Sequence, residues 1–137
     1  MTQSKDKEKM IREMGADEVV ANGEKLMAAG GADVLLATSN SWVATADAAR
    51  GMRPYGRIIL MGVGPEPMNY TPELMFKRVA LIGSSQNGPE YLYEALDYAA
   101  KGKVKVIAET YKLDDIGKAY DRVADGKVRY RAVITMN

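Results

Sequence analysis

Short apolar runs typical of β-strands alternate along this chain with longer segments of helical periodicity. The clearest runs are residues 33–38 (DVLLAT) and 57–61 (RIILM), whose near-continuous apolar character predicts strands covered on both faces. Strands that alternate with helices predict βαβ units, and therefore a parallel sheet with helices on both of its faces. The fold class that follows is α/β.

The remaining elements complete this alternation. Further strands are predicted at residues 18–21, 79–82, 106–110 and 132–136. Helices are predicted at residues 5–14, 24–29, 41–52, 89–101 and 114–124, with one more starting at Thr71-Pro72, a helix-capping residue followed by proline. A chain of 137 residues is long enough for one compact domain and short for two, so a single domain over residues 1–137 is expected.

Two residue types that dominate protein chemistry are absent, since the chain has no cysteine and no histidine. Disulfides are therefore excluded, and a zinc site in this chain is not expected. The net charge is +1 with both signs interspersed, which offers no basic patch for nucleic acid or for a membrane surface. With no apolar stretch of membrane-spanning length and a polar start at residues 1–9, the expected location is cytoplasmic.

Glycine-rich stretches after two predicted strands each have two interpretations. Gly62-Val63-Gly64 superficially suggests a dinucleotide fingerprint, but Pro65 and Pro67 forbid the helix that such a motif needs next. A loop at the carboxyl end of a strand, able to line a pocket, is the favoured interpretation. Residues 83–88 (GSSQNG) could bind an anion, but are better explained as the entry to the following helix.

Charged residues near element ends are open to a structural and a functional interpretation. Lys5, Lys7 and Lys9 with Ser4 form either a solvated surface or a phosphate site at a helix start. Alternation along a strand would put Arg129 and Arg131 on the face opposite Tyr130. The pair at residues 114–115 (DD) is better explained by helix capping than by acid–base chemistry.

The order of these pieces resembles the cofactor-binding half of the zinc-type medium-chain alcohol dehydrogenases, and in particular the cinnamyl-alcohol-dehydrogenase-like subgroup. The resemblance runs along nearly the whole chain, and its most specific element is the Val-Arg-Tyr-Arg-x-Val motif near the end. The stretches that carry it are residues 2–7 (TQSKDK), 14–20 (MGADEVV), 53–62 (RPYGRIILMG), 81–84 (LIGS) and 126–134 (GKVRYRAVI).

This resemblance implies a nicotinamide nucleotide as the ligand. Thr2, Ser4 and Lys7 fit the T-x-S-x-x-K form of NADP-preferring members, in which two hydroxyls and an ammonium hold the 2′-phosphate. NAD is the less favoured cofactor, because NAD-preferring enzymes carry an acid there. The other implied contacts are Thr38 and Ser39 bordering the cofactor, the backbone of Met61, Gly62 and Val63 at the nicotinamide carboxamide, and Arg131 at the pyrophosphate.

The departures from the family pattern are equally informative. Zinc ligands, proton relay and most of the substrate pocket come from an N-terminal catalytic half in the family, and this chain has none of them. It also opens on a polar segment and a helix, without the first Rossmann strand, its glycine-rich turn and most of the second strand. The expected fold is thus an incomplete Rossmann-type parallel sheet. We expect the third strand, residues 18–21, to lose its family position, and rearrangement or association to cover the bared edge.

The resemblance therefore implies the C-terminal cofactor-binding part of an NADP-dependent zinc alcohol dehydrogenase that is inactive as an isolated chain. The alternatives are a non-catalytic nucleotide-binding module and a structural remnant that self-associates. A homo-oligomer is expected in either case, since residues 79–82 resemble the strand used for dimer pairing.

Overall fold

The computed structural model describes residues 5–84 and 88–136, and the chain divides into two compact units. The first unit is Met1–Gln86 and the second is Asn87–Asn137. Both combine parallel strands with helices, so the predicted α/β class is confirmed. None of the helices in the described part of the chain is long and apolar enough to cross a membrane.

Within residues 5–84, the first unit has three strands and four helices. Its helices begin where the sequence offers caps: the Asn22 side chain accepts from the backbone N–H of Lys25, and the Ser41 hydroxyl accepts from that of Ala44. The elements are α1 (Lys5–Glu13), α2 (Gly23–Ala28), β1 (Ala32–Ala37), α3 (Trp42–Ala49), β2 (Met52–Leu60), α4 (Pro72–Phe76) and β3 (Ala80–Gly83).

The three strands form one parallel sheet in the order β1-β2-β3. Val34 is opposite Arg57 on β2, and Arg57 is opposite Ala80 on β3, so the register is continuous across the sheet. The pairing slips between Ala32 and Val34, where β2 accommodates extra residues around Tyr55, which has a φ of 62°. Parallel neighbours need crossover connections, which α3 and α4 supply.

The core of this unit lies between the sheet and its helices. Met52 and Ile58 on β2 are fully buried, and burial of an isoleucine side chain is worth about 1.5–3 kcal/mol. The buried cluster consists of Ala37, Ala49, Met52, Ile58, Leu74 and Val79. These residues come from two strands, two helices and the residue before β3, so the cluster holds the layers together.

The prediction that the strands are covered on both faces is wrong for β1. On β1 the side chains of Ala37 and Leu35 join or pack against the core, whereas Val34 and Leu36 are 55% and 61% exposed. All four residues of β3 are exposed. Successive side chains of a strand point to opposite faces. In β1 the second apolar face therefore lacks a covering layer within the described residues.

The strand predicted at residues 18–21 is also wrong, because this segment forms no strand. An extended segment needs a neighbouring backbone to complete a sheet ladder. Among the described residues, β1 pairs only with β2, and no strand lies on its other edge. That the third strand loses its family position stays a prediction. The covering of that edge by association remains a prediction.

The second unit is built around a pair of strands. β4 (Glu109–Lys112) and β5 (Ala132–Thr135) are parallel, with Glu109 opposite Ala132. The helices are α5 (Pro89–Ala100) and α6 (Ile116–Ala124), the latter preceded by a single 3₁₀ turn. Gly88 is the residue before α5, as the helix-entry interpretation predicted. Asp115 precedes α6 but its side chain makes no capping hydrogen bond, so that interpretation is wrong in detail.

Candidate functional site

The loops after β1 and β2 lie together at one edge of the three-stranded sheet, since parallel strands bring their carboxyl ends to the same side. Thr38 and Ser39 follow β1, and Met61, Gly62 and Val63 follow β2. We call these five residues the edge loops. Five of the predicted site residues are thus close in space although two sequence segments supply them.

Backbone hydrogen bonds fix the position of the edge loops. The N–H groups of Met61 and Gly62 both donate to the carbonyl oxygen of Ala37, each at 3.0 Å. The N–H of Ser84, after β3, donates to the carbonyl oxygen of Leu60 at 2.9 Å. The loop conformation is therefore an extension of the sheet and does not depend on the side chains of the loops.

Gly62 allows a very close approach of the two loops. A Cβ atom at this position would lie 2.0 Å from the carbonyl oxygen of Ser39 and 3.2 Å from the carbonyl carbon of Thr38. A Cβ at Gly64 would lie 2.7 Å from Cδ1 of Trp42, at the start of α3. Glycine is thus required at both positions, because any side chain would push the loops away from β1 and α3.

The edge loops present hydroxyl groups, peptide groups and apolar side chains to solvent. Thr38, Ser39, Met61 and Val63 are exposed, while Gly62 is half-buried. The Ser39 hydroxyl also accepts from the N–H of Ser41 at 3.1 Å, which fixes the entry to α3. Such a surface can hold a polar, planar group through hydrogen bonds, but it provides no general acid or base.

A cavity of about 920 Å³ lies beside this edge, within the first unit. Its lining includes Thr38 and Ser39 of the edge loops, Val34 and Leu36 on the outward face of β1, and Val20. Ligand sites in proteins commonly measure about 300–1,000 Å³ and are mostly apolar with a few polar groups. The lining of this cavity fits that description, whereas the cavity itself is half-open to solvent.

The predicted phosphate cluster is only partly described. Thr2 and Ser4 lie outside the described residues, whereas Lys7 is half-buried on α1. This helix is tied to the following segment through Arg12, whose guanidinium donates to the carbonyl oxygen of Asp17 and lies 3.5 Å from the Glu18 carboxylate. Those contacts fix the helix that carries Lys7.

Arg131 belongs to the second unit and lies immediately before β5, in an exposed position. The prediction that Arg129 and Arg131 alternate along a strand with Tyr130 is wrong, because these three residues form a tight turn. Tyr130 has a φ of 64°, and the N–H of Arg131 donates to the carbonyl oxygen of Arg129 at 2.9 Å. A bend of this kind changes the direction in which the two arginine side chains leave the backbone.

A polar cluster in the second unit was not identified from the sequence. The Tyr111 hydroxyl and the Arg122 guanidinium donate to Oε2 of Glu109 at 2.6 and 2.9 Å, and Arg129 N–H donates to Oε1 at 2.8 Å. These bonds, led by that from Tyr111, lower the pKa of Glu109 to about 2. Glu109 and Tyr111 share a strand face by alternation, which was a usable signal, but no spacing indicates Arg122.

The donor set does not fit a zinc ion. The chain has no cysteine or histidine, and within residues 5–84 and 88–136 no three metal-binding side chains come together. Zinc in proteins is bound mainly by thiolate and imidazole, with carboxylates as further ligands. A zinc ion in a complete enzyme of this kind would need ligands that this chain does not supply.

Comparison with known families identifies the family of this chain. The family model described as "Zinc-binding dehydrogenase" matches residues 14–134, and the chain belongs to this family. A probable cinnamyl alcohol dehydrogenase of Pinus taeda is 34% identical over 95% of this chain, and alcohol dehydrogenase 9 of Catharanthus roseus is 33% identical over 93%. The chain spans 38% and 37% of the length of these relatives.

Solved structures support the same fold. The alcohol dehydrogenase of the hyperthermophilic archaeon Aeropyrum pernix is 29% identical with a TM-score of 0.84, over 97% of this chain and 41% of its own. An alcohol dehydrogenase of Escherichia coli complexed with the cofactor NADH has a TM-score of 0.81 at 20% identity, covering 98% of this chain and 43% of its own. The predicted incomplete Rossmann-type fold is confirmed.

Proposed function

We propose that this chain is the C-terminal, cofactor-binding part of an NADP-dependent zinc alcohol dehydrogenase, and that it does not catalyse turnover by itself. The observation that carries the proposal is the close approach of Gly62 to Ser39 at the carboxyl edge of a parallel sheet. Nucleotides bind at this edge in open α/β folds. Membership of the zinc-binding dehydrogenase family supports a nicotinamide cofactor as the nucleotide.

The edge loops would hold the nicotinamide end of the cofactor. The peptide groups of Met61, Gly62 and Val63 are suited to the carboxamide, because a primary amide both donates and accepts hydrogen bonds. Thr38 and Ser39 would border the ring from the neighbouring strand. When bound, the cofactor supplies hydride to an aldehyde carbonyl or takes it from an alcohol. The task of this chain is to bind and orient it.

The phosphate groups would be held by basic side chains. Arg131 is suited to the pyrophosphate, since a guanidinium makes two parallel charge-assisted hydrogen bonds to an oxyanion. Lys7, together with Thr2 and Ser4, would hold the 2′-phosphate that distinguishes NADP from NAD. Two hydroxyls and an ammonium suit a phosphate dianion better than a free ribose 2′-hydroxyl, which is the reason to propose NADP.

The remaining parts of the catalytic apparatus would come from a partner. This chain has no cysteine or histidine to bind zinc, so the metal, the proton relay and the substrate pocket would belong to an N-terminal catalytic half. The outward face of β1 has Val34 and Leu36 exposed, and one edge of this strand pairs with no residue that the structure describes. Both features support a second polypeptide at this position. A homo-oligomer paired through β3 and a cytoplasmic location complete the proposal.

A titration with NADPH and NADH, followed by the fluorescence of the reduced cofactor, tests this function. We expect saturable binding that favours NADPH, because Lys7 would contact only the 2′-phosphate. Charge-assisted hydrogen bonds contribute about 1.5–3 kcal/mol. Arg131→Ala should therefore weaken the binding of both cofactors by about 10- to 100-fold. Lys7→Ala should weaken the binding of NADPH and leave that of NADH unchanged.

Lys105→Ala is the matched control, since it removes one positive charge from another exposed position and should leave both affinities unchanged. No binding of either cofactor at millimolar concentration would overturn the proposed function. Tighter binding of NADH than of NADPH would overturn the assignment of NADP. Turnover of an alcohol by the chain alone would contradict the requirement for a catalytic partner.

A further inference from the structure

One residue of the second unit holds both ends of the turn that carries Arg131. The carboxylate Oε1 of Glu109 accepts from the N–H of Arg129 at 2.8 Å. The backbone N–H of Glu109 donates to the carbonyl oxygen of Arg131, also at 2.8 Å. The two bonds reach the first and the last residue of the turn, so the position of Glu109 determines where the turn lies relative to β4.

The turn itself has a costly conformation. Tyr130 occupies the left-handed region with a φ of 64°, which disfavours a residue with a side chain, and the bond from Arg131 N–H to Arg129 C=O closes a three-residue turn. Conformations of this type persist where the surrounding structure determines them, and they concentrate at binding sites. The contacts of Glu109 with both ends supply such a determinant.

The second carboxylate oxygen of Glu109 is itself held by neighbouring side chains. Oε2 accepts from the Tyr111 hydroxyl and the Arg122 guanidinium, and Arg122 Nε also donates to the Tyr111 oxygen at 2.9 Å. The guanidinium reaches the carbonyl oxygen of Lys127 as well, where the segment leading to the turn begins. The low pKa of Glu109 agrees with a carboxylate that remains charged in this setting. Its orientation is thus fixed by groups on β4 and α6.

The guanidinium of Arg131 remains available, in contrast to that of Arg122. Arg131 is exposed, and its side chain makes no hydrogen bond or ion pair with any residue that the structure describes. Its backbone N–H and C=O are both engaged in the turn. The cluster therefore fixes the backbone of Arg131 and leaves its charged group to interact with an anion.

We propose that Glu109 is a positioning residue: it clasps the Arg129–Arg131 turn so that the Arg131 guanidinium is presented to a nucleotide phosphate. This inference rests on the proposed function for the identity of the anion. Glu109 itself would not touch the cofactor, because both of its oxygens are used inside the protein. Loss of its charge acts on affinity only through the turn.

The test combines NADPH affinity with a direct measurement of the turn. Glu109→Ala should abolish the positive φ of Tyr130, measured by its NMR backbone coupling constant, and speed amide exchange at Arg129 and Arg131. NADPH binding should weaken about tenfold, although removal of a negative charge would by itself strengthen the binding of an anion. Glu109→Gln should have a smaller effect in the same direction, since the amide oxygen can still accept from Arg129.

Glu94→Gln is the matched control, because it removes one carboxylate from an exposed position on α5. It should leave both the turn and the affinity unchanged. A double variant, Glu109→Ala with Arg131→Ala, should bind NADPH no more weakly than Arg131→Ala alone, since both changes remove the same interaction. Additive losses would overturn the positioning role.

Two results separate this inference from the proposed function. If Glu109→Ala keeps the Tyr130 conformation and the wild-type affinity for NADPH, the inference is wrong and the proposed function stands. If the wild-type chain binds no nucleotide at all, the proposed function is wrong and so is the presentation of Arg131 to a nucleotide. The NMR measurement then decides separately whether Glu109 holds the turn.

Discussion

The two units of this chain are both parallel α/β structures, yet different forces hold them together. In the first unit, apolar side chains from strands and helices meet in a buried cluster centred on Met52 and Ile58. In the second unit, Ala119 is the single buried hydrophobic residue among those described. Its strand β4 and helix α6 are joined instead by the hydrogen-bonded cluster of Glu109, Tyr111 and Arg122.

The difference shows that the α/β pattern alone does not specify how a unit is stabilised. Apolar burial is non-directional and tolerates changes of pH, whereas a cluster of charged and hydroxyl groups fixes exact directions and depends on ionisation. The helix α5 sharpens the contrast, because none of its residues is buried although Leu92 and Leu96 are strongly apolar. The second unit has apolar surface but does not bury it within the described structure.

The largest effect is expected from the core of the first unit. Ile58→Ala should lower the free energy of unfolding by about 3 kcal/mol, because it removes buried methyl groups and leaves a cavity. Urea denaturation monitored by circular dichroism measures the loss, and amide exchange assigns it to β1, β2 and β3. Ile58→Val, the control, should cost about 1 kcal/mol. If the amides of those strands were as well protected in the alanine variant as in the wild type, apolar burial would not be what holds the first unit together.

A smaller effect is expected where the edge loops approach one another. Gly62→Ala places a methyl group against the Ser39 carbonyl, and overpacking of this kind costs about 2 kcal/mol. The variant should also lose affinity for NADPH, measured by the cofactor titration. Gly83→Ala serves as the control, because a Cβ there meets no atom within 4 Å. If both alanine variants behaved alike, the close approach would not limit the site.

The smallest effect is expected from acidification, and it should be confined to the second unit. The pKa of Glu109 is lowered from 4.5 to about 2 by bonds from Tyr111, Arg129 and Arg122. Because the folded pKa lies below the unfolded one, the stabilisation is complete above about pH 4.5 and is lost as the pH falls towards 2. The protection factors of the amides in β4 and β5, which correct the exchange rates for their intrinsic pH dependence, should fall over this range, while those of the amides in β2 do not.

Glu109→Gln should remove the pH dependence over the same interval, because an amide does not titrate. The first unit then acts as an internal reference within each sample. Loss of protection in both units at the same pH, in the wild type and in the variant alike, would show that Glu109 is not the titrating group that distinguishes them.

The sequence predicted most of the helices and strands of this fold, because their signals are local. Apolar runs such as residues 57–61 and helix starts such as Gly88-Pro89 depend on neighbouring residues only. Residues 18–21 show the limit of such signals. Their composition suits a strand, but a strand also needs a partner backbone, and none lies beside this segment in the described structure. The prediction that Val34 and Leu36 are buried was wrong for a related reason, since their burial requires a second layer of structure on the outer face of β1.

The candidate site divides in the same way. The sequence placed the edge loops at the ends of two strands, and parallel pairing brings them together. It could not show that Gly62 lies against Ser39, because that contact joins two loops that are far apart along the chain. The hydrogen bonds of Glu109 were not predicted for the same reason, since Arg122 and Arg129 reach its carboxylate only after folding. The turn at Tyr130 was missed because tyrosine rarely adopts a positive φ.

The contact between Gly64 and Trp42 gives this protein an optical probe at the point of interest. Trp42 is the only tryptophan of the chain, and its indole lies against the loop that follows β2. Reduced nicotinamide absorbs light at the wavelengths where indole emits, so a cofactor bound at the edge loops would quench this emission by energy transfer. The second unit contains no tryptophan. Indole emission therefore reports on the first unit alone, and the two units can be followed separately in one cuvette.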